Sequence, residues 1–119
     1  QYENVVKEML FYFSEKVAKA RGYGINDLIL DPGFGFAKNA KQGFEMMRNL
    51  EALKVMNLPL LVGISRKSMI REILKVNVEN SLNGTSALHA LLLTKNAHVF
   101  RVHDVPEMNE VRTLIGASR

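Results

Sequence analysis

Apolar residues recur along the chain with two different spacings, which predict alternating helices and strands. From Tyr2 to Ala20 they lie three or four positions apart, and this spacing predicts an amphipathic helix that ends at Gly22 and Gly24. The same spacing predicts a second helix from about Ala40 to Met56, which the following Asn-Leu-Pro interrupts. Three short, mostly apolar runs are typical of buried strands: 27–30, 60–64 and 98–103.

Further helices are predicted after the second and third strands. One begins at Ser65, is interrupted by a polar stretch and resumes at Gly84, and another closes the chain with Asp104 as its cap. Strands that alternate with helices indicate a parallel α/β fold. Three such strands leave apolar edges open, and the chain opens on a helix and on Gln rather than Met. We therefore expect residues 1–119 to form one partial domain, the carboxyl-terminal half of a TIM (β/α)8 barrel, which needs about 250 residues.

Composition and charge narrow the classes of partner. The formal net charge is +4, but Lys and Arg are scattered among Glu without a basic stripe, so we expect no nucleic-acid partner. The apolar runs are too short to span a bilayer, and we expect no membrane partner. Cysteine is absent, which excludes disulfides and thiolate metal sites and fits a cytoplasmic protein.

Each predicted strand is followed by residues that can bind a ligand. Asp31 follows the first strand, where it is either only the first residue of a turn or the carboxylate of a binding site, and the motif alone leaves both open. At the end of the second strand, Gly63 lets the backbone approach a flat ligand. Ser65 lies where a helix begins, a place suited to a carboxylate or phosphate. Lys67 is unfavourable in a first helical turn, which makes it a candidate for function.

The third strand ends in Arg101 and His103, two positions apart and therefore expected on one face. Two such groups suit a phosphate or pyrophosphate. The other two histidines, His89 and His98, are interpreted as structural. Because ligands of parallel α/β proteins bind at the carboxyl ends of the strands, we expect all three strand ends to form one site.

Three stretches together resemble one known family, the carboxyl-terminal half of dihydropteroate synthase: LDPGFGFAKN, LPLLVGISRKSMI and NGTSALHALLLTKNAHVFRVHDV. The resemblance covers nearly the whole chain and includes all three strand ends in the family's order. It implies a transferase of folate biosynthesis with a TIM-barrel fold. Such an enzyme joins 6-hydroxymethyl-7,8-dihydropterin pyrophosphate to p-aminobenzoate and releases 7,8-dihydropteroate and pyrophosphate.

The resemblance also implies roles for the pterin and its leaving group. Asp31, as a buried carboxylate, would bind the amino-pyrimidine edge of the pterin, with Gly63 at the border of the ring. Lys67 would reach the ring heteroatoms. Arg101 would lie over the pterin and, with His103, hold the pyrophosphate. Catalysis by Lys67, Arg101 and His103 would then be electrostatic, and we expect no activated Ser–His pair.

For the second substrate, the resemblance implies that Gly35 and Phe36 border the p-aminobenzoate pocket and that Ser65 binds its carboxylate. It further implies sulfonamides as competitors, a homodimer through the last helices, and Mg2+ bound by parts of the family that this chain lacks. No metal ligand is expected in the chain itself, and the chain alone is expected to be inactive.

Two other interpretations stay open at this point. A pterin-binding methyltetrahydrofolate methyltransferase domain would also use a carboxylate like Asp31, but it has no use for p-aminobenzoate. The other alternative is a non-catalytic half-barrel that self-associates through its exposed apolar sheet edges.

Overall fold

A computed structural model describes residues 2–33, 37 and 39–119, with side chains from Val5 onward. Helices and short strands alternate along these residues. Their bounds are α1 Tyr2–Gly22, α2 Ala40–Arg48, a 3-10 helix Leu50–Met56, β1 Leu61–Val62, α3 Ser68–Leu74, a 3-10 helix Val78–Asn80, α4 Leu82–Thr94, β2 Val99–Phe100 and α5 Val105–Ala117.

The strands are parallel and lie side by side in chain order. β1 pairs with β2, with Leu61 opposite Val99. On the other side of β1, Leu30 forms a parallel bridge with Leu60, and the Leu30 N–H donates to the Pro59 carbonyl at 2.9 Å. The predicted three parallel segments are therefore present, but their regular pairing is only one or two residues long.

The core lies between this small sheet and the helices. α1 contributes one stripe of side chains at every fourth position, as an amphipathic helix requires. Each fully buried apolar side chain of this kind stabilises the fold by about 1.5–3 kcal/mol. The main core residues are Val5, Met9, Phe13, Val17, Leu30, Met46, Met47, Leu50, Leu60, Val62, Ile64 and Leu92.

The ends of the first two helices differ in how well the sequence predicted them. α1 ends at Gly22, and Gly24 has the left-handed φ of +82° that the predicted stop requires. The predicted single helix 40–56 is wrong, because α2 ends at Arg48 and a 3-10 helix follows. At the junction the side-chain amide of Asn49 donates to the Glu45 carbonyl at 2.7 Å. This local bond competes with the helical backbone pattern and favours the tighter turn.

The helix predicted to begin at Ser65 begins three residues later. α3 starts at Ser68 with Lys67 in the cap position, so Lys67 does not lie in the first turn. The preceding residue, Arg66, has a left-handed φ of +56°, which interrupts the path from β1 into the helix. Among the described residues, none of the helices combines the length and apolarity needed to cross a bilayer.

Candidate functional site at the strand ends

The residues that directly follow the three parallel segments form what we call the rim: 31–33, 63–67 and 101–104. Arg101 Nη1 donates to Asp31 Oδ2 at 3.1 Å, which joins the first and third parts of the rim. Gly63 lies beneath this pair, and a Cβ built on Gly63 would be 2.7 Å from Cζ of Arg101. The absence of a side chain at Gly63 thus leaves the space in which the guanidinium lies.

The carboxylate of Asp31 is not buried as predicted. Its side chain is 42% exposed, and that of Arg101 is 56% exposed. The segment before Asp31 has a parallel neighbour on one side only among the described residues, so water reaches the other flank. An exposed ion pair contributes only about 0–1 kcal/mol. A ligand that offers Asp31 better hydrogen bonds can therefore displace Arg101.

Ser65 and His103 join the second and third parts of the rim. The backbone N–H of His103 donates to Ser65 Oγ at 3.3 Å, and the same Oγ lies 2.9 Å from Nδ1 of the His103 ring. The sequence predicted no activated Ser–His pair, and it did not anticipate this contact between Ser65 and His103. Ser65 is only 4% exposed, so its hydroxyl lacks the access that a nucleophile needs.

Arg101 and His103 contact different groups. Arg101 reaches Asp31, whereas His103 reaches Ser65. β2 ends at Phe100, so the alternation of a regular strand does not extend to these two residues. They lie at the same strand end, but the structure pairs each of them with a different part of the rim.

Lys67 caps α3 with its backbone. Its N–H donates to the Ile64 carbonyl at 3.1 Å, and its carbonyl accepts from the Ile70 N–H at 3.0 Å. The side chain is half-buried, and its ammonium forms no ion pair within the part of the chain that the structure describes. An unpaired ammonium at the rim is available to a ligand, although the structure does not join it to Asp31 or Arg101.

Arg66 is the rim residue that sequence reasoning missed. Its guanidinium is bidentate to Asp104, with Nε 2.9 Å from Oδ2 and Nη2 3.1 Å from Oδ1. Nη1 donates to the Val78 carbonyl, and the backbone N–H donates to Thr85 Oγ1 at 3.0 Å. One residue therefore connects the loop after β1 with α4, with the second 3-10 helix and with the start of α5.

Pairing also shifts the pKa values of Arg66 and Asp104. Hydrogen bonding to the carboxylate raises the pKa of Arg66 above its ordinary value, and the same bonds lower the pKa of Asp104. Asp104 precedes α5 as predicted, but its side chain makes no cap hydrogen bond and binds Arg66 instead. Opposite charges in consecutive strand–helix loops are the sequence signal that could have indicated this contact.

The two histidines interpreted as structural belong to the fold. His98 Nδ1 accepts from the Leu60 N–H at 3.0 Å and so anchors the segment before β1. His89 is buried in α4 and packs edge-on against Phe100 with ring centroids 5.4 Å apart. Burial lowers the pKa of His89, against a weaker opposing effect of Asp104.

The predicted p-aminobenzoate residues Gly35 and Phe36 lie outside the described residues. Within the described ranges, no group of three or more His, Asp or Glu side chains has an arrangement that could hold a metal ion.

The fold and the rim define the class of the protein. Parallel strands in chain order, each followed by a helix, with charged residues at their carboxyl ends, are the architecture of α/β barrel enzymes. The model of the pterin binding enzyme family matches residues 1–103. The chain belongs to this family.

Individual relatives specify the similarity further. The chain is 40% identical over 120 residues to the dihydropteroate synthase of Escherichia coli K12, covering 99% of this chain and 43% of the relative. Among solved structures, the Yersinia pestis dihydropteroate synthase with a pterine–sulfa conjugate matches with a TM-score of 0.93 and 34% identity, over 100% of this chain and 48% of that one. A Coxiella burnetii dihydropteroate synthase in complex with pteroic acid matches with a TM-score of 0.92 and 30% identity, over 99% of this chain and 46% of that one.

These comparisons confirm two predictions. The resemblance to dihydropteroate synthase holds along nearly the whole chain. The fold is half of the TIM barrel of those enzymes, with about three parallel strands and flanking helices. The chain spans a little under half of the length of the relatives it matches.

Proposed function

We propose that this chain supplies the carboxyl-terminal half of a dihydropteroate synthase site, in which a pterin pyrophosphate is condensed with p-aminobenzoate. The observation that carries the proposal is the convergence of Asp31, Gly63 and Arg101 on one rim. The 40% identity to the Escherichia coli enzyme supports the assignment of the chemistry.

In the proposed complex, the pterin replaces Arg101 on Asp31. A carboxylate accepts hydrogen bonds from the paired N–H donors of an amino-pyrimidine edge, and such charge-assisted bonds are stronger than neutral ones. The Arg101 guanidinium, released from Asp31, can then lie over the flat ring that takes its place beside Gly63. Lys67, at the cap of α3, donates to the heteroatoms of the ring.

The leaving group is proposed to lie against Arg101 and His103. The bond between the exocyclic methylene carbon and the pyrophosphate oxygen breaks, and a bond from that carbon to the amine nitrogen of p-aminobenzoate forms. The amine then loses a proton, and pyrophosphate departs with the bonding electrons. Positive groups already held at the rim stabilise the charge that develops on the pyrophosphate, so no protein nucleophile is required.

The second substrate, p-aminobenzoate, is proposed to bind beside the pterin. Gly35 and Phe36 keep their proposed place at the border of this site. Ser65 is a weaker candidate for the carboxylate of this substrate, because its hydroxyl is engaged by His103. The Yersinia pestis relative holds a pterine–sulfa conjugate, which supports sulfonamides as competitors for the same site.

Three further proposals concern the surroundings of the site. Mg2+ would accompany the pyrophosphate, and we assign it no step because the described residues offer no metal cluster. A homodimer through the last helices stays a proposal that the resemblance implies. The cytoplasmic location is a proposal from the cysteine-free composition.

The test is a chimera in which this chain replaces the matching 120 residues of the Escherichia coli enzyme. We expect the chimera to form dihydropteroate, and the isolated chain to form none. In the chimera, Lys67→Ala should lower the turnover by about 100-fold or more, which is the effect of losing one electrostatic catalytic group. Lys41→Ala, which removes an exposed lysine of α2, is the matched control.

Two results would contradict the proposal. Wild-type turnover in the Lys67→Ala chimera would remove the role given to Lys67. A chimera that folds and binds pterin but does not bind p-aminobenzoate would favour the methyltransferase alternative, which needs only the pterin. Sedimentation of the isolated chain as a stable monomer would count against the self-associating half-barrel.

A further inference from the structure

The Ser65 hydroxyl and the His103 ring form a contact that the proposed reaction does not require. Ser65 Oγ accepts the backbone N–H of His103 at 3.3 Å and lies 2.9 Å from Nδ1 of the ring. Ser65 is 4% exposed, and both contacts that the structure gives its hydroxyl within the described residues go to His103.

Counting donors and acceptors decides where the ring proton lies. A serine hydroxyl has one proton to donate and two lone pairs that accept. The His103 backbone N–H takes one lone pair, because an amide N–H can only donate. If Nδ1 also donated, the hydroxyl proton would have no acceptor in a nearly buried place, which is unfavourable. Pairing every group therefore requires the hydroxyl to donate to Nδ1, which corresponds to a ring proton on Nε2.

We propose that Ser65 is a positioning residue, which holds the neutral His103 ring in the Nε2–H tautomer and in one orientation. His103 is exposed, so Nε2–H is the ring donor left to contact an anion. An N–H held in advance suits a phosphate or pyrophosphate oxygen. This step rests on the proposed function, because it uses the anion assigned to His103. Ser65 is thereby reassigned from a ligand of the p-aminobenzoate carboxylate to a support of His103.

The tautomer can be measured directly by NMR in the isolated 15N-labelled chain. Two-bond 1H–15N correlations at about pH 8.5, where an ordinary histidine is neutral, distinguish Nδ1 from Nε2 protonation. His98 is an internal reference, because its Nδ1 accepts from the Leu60 N–H at 3.0 Å and its tautomer does not depend on Ser65. His103→Gln assigns the signals.

We expect both His98 and His103 to show the Nε2–H pattern in the wild-type chain. In Ser65→Ala, the His103 signals should move toward a mixture of tautomers, whereas those of His98 stay unchanged. An Nδ1–H pattern at His103 in the wild type, or an unchanged pattern in Ser65→Ala, would overturn the assignment. The wild-type spectrum decides by itself if the variant does not fold.

Titration of the Escherichia coli chimera with inorganic pyrophosphate separates this inference from the proposed function. Ser65→Ala should weaken pyrophosphate binding about 3- to 10-fold, the effect of losing the pre-oriented donor. Ser65→Cys keeps a weak donor, so its affinity for pyrophosphate should lie between those of the wild type and Ser65→Ala. Equal affinity in wild type and Ser65→Ala would refute the positioning role. A chimera that contains the wild-type chain, shows the Nε2–H tautomer and binds no pyrophosphate would refute the anion site and leave the Ser65–His103 contact standing.

Discussion

Thr85 of α4 is a buried residue that contacts the backbone of the rim. Its side chain is 2% exposed, and its Oγ1 accepts the Arg66 backbone N–H at 3.0 Å. The hydroxyl donates in turn to the Ser81 carbonyl at 2.8 Å. Thr85→Val keeps the volume and the branching of the side chain but removes this acceptor, so it tests one hydrogen bond with little change in packing.

The expected loss of stability follows from which partner is left without a bond. The Ser81 carbonyl keeps the backbone N–H of Thr85 at 3.0 Å, so its loss is small. The Arg66 N–H loses the acceptor that the structure gives it, and a buried donor without a partner costs about 1–3 kcal/mol. Valine is more easily buried than threonine, and this difference offsets part of the cost of the unpaired Arg66 N–H. We expect the free energy of unfolding to fall by about 1–2 kcal/mol.

Urea unfolding measures the total effect, and hydrogen exchange of the Arg66 amide shows its origin. Thr85→Ser is the control, because it keeps the hydroxyl and loses one methyl group, which costs about 0.8 kcal/mol. The Arg66 amide should exchange faster in Thr85→Val and stay protected in Thr85→Ser. The reasoning is refuted if Thr85→Val is as stable as wild type, or if both variants protect the Arg66 amide equally.

Three further predictions follow from the site and the core. Gly63→Ala should leave stability nearly unchanged, because its Cβ displaces only the flexible end of Arg101, but it should weaken pterin binding; calorimetry that detects no change in affinity would contradict this. Arg101→Ala should weaken the binding of the pterin pyrophosphate more than that of the bare pterin alcohol, and equal losses would argue against the anion role. His89 has a pKa below its ordinary value because it is buried, so the unfolded chain binds its proton first on acidification. Its contribution to stability is therefore complete above about pH 6.5 and decreases as the pH falls through the window between the unfolded and folded pKa values. His89→Leu should flatten that part of the pH dependence of the urea midpoint, and an unchanged slope would refute the argument.

Periodicity along the chain was sufficient for the features that depend on near neighbours. The stripe of α1, its end at Gly22 before the left-handed Gly24, and the three apolar segments all follow from spacing and turn chemistry within a few residues. The gathering of polar groups at one rim also followed, because the direction of parallel strands determines where their ends lie. Local pattern was insufficient at Asn49, where α2 ends early and the side-chain amide bonds to the Glu45 carbonyl.

Only the tertiary structure decided which rim side chains contact each other. Arg66 with Asp104 and Ser65 with His103 are both pairs of residues 38 positions apart. No periodicity links positions at that separation, since the choice of partner depends on how two loops pack once β1 and β2 are side by side. The chain by itself thus determined which groups stand at the strand ends. Packing determined that Asp104 binds a guanidinium instead of capping a helix, and that Ser65 supports a histidine ring.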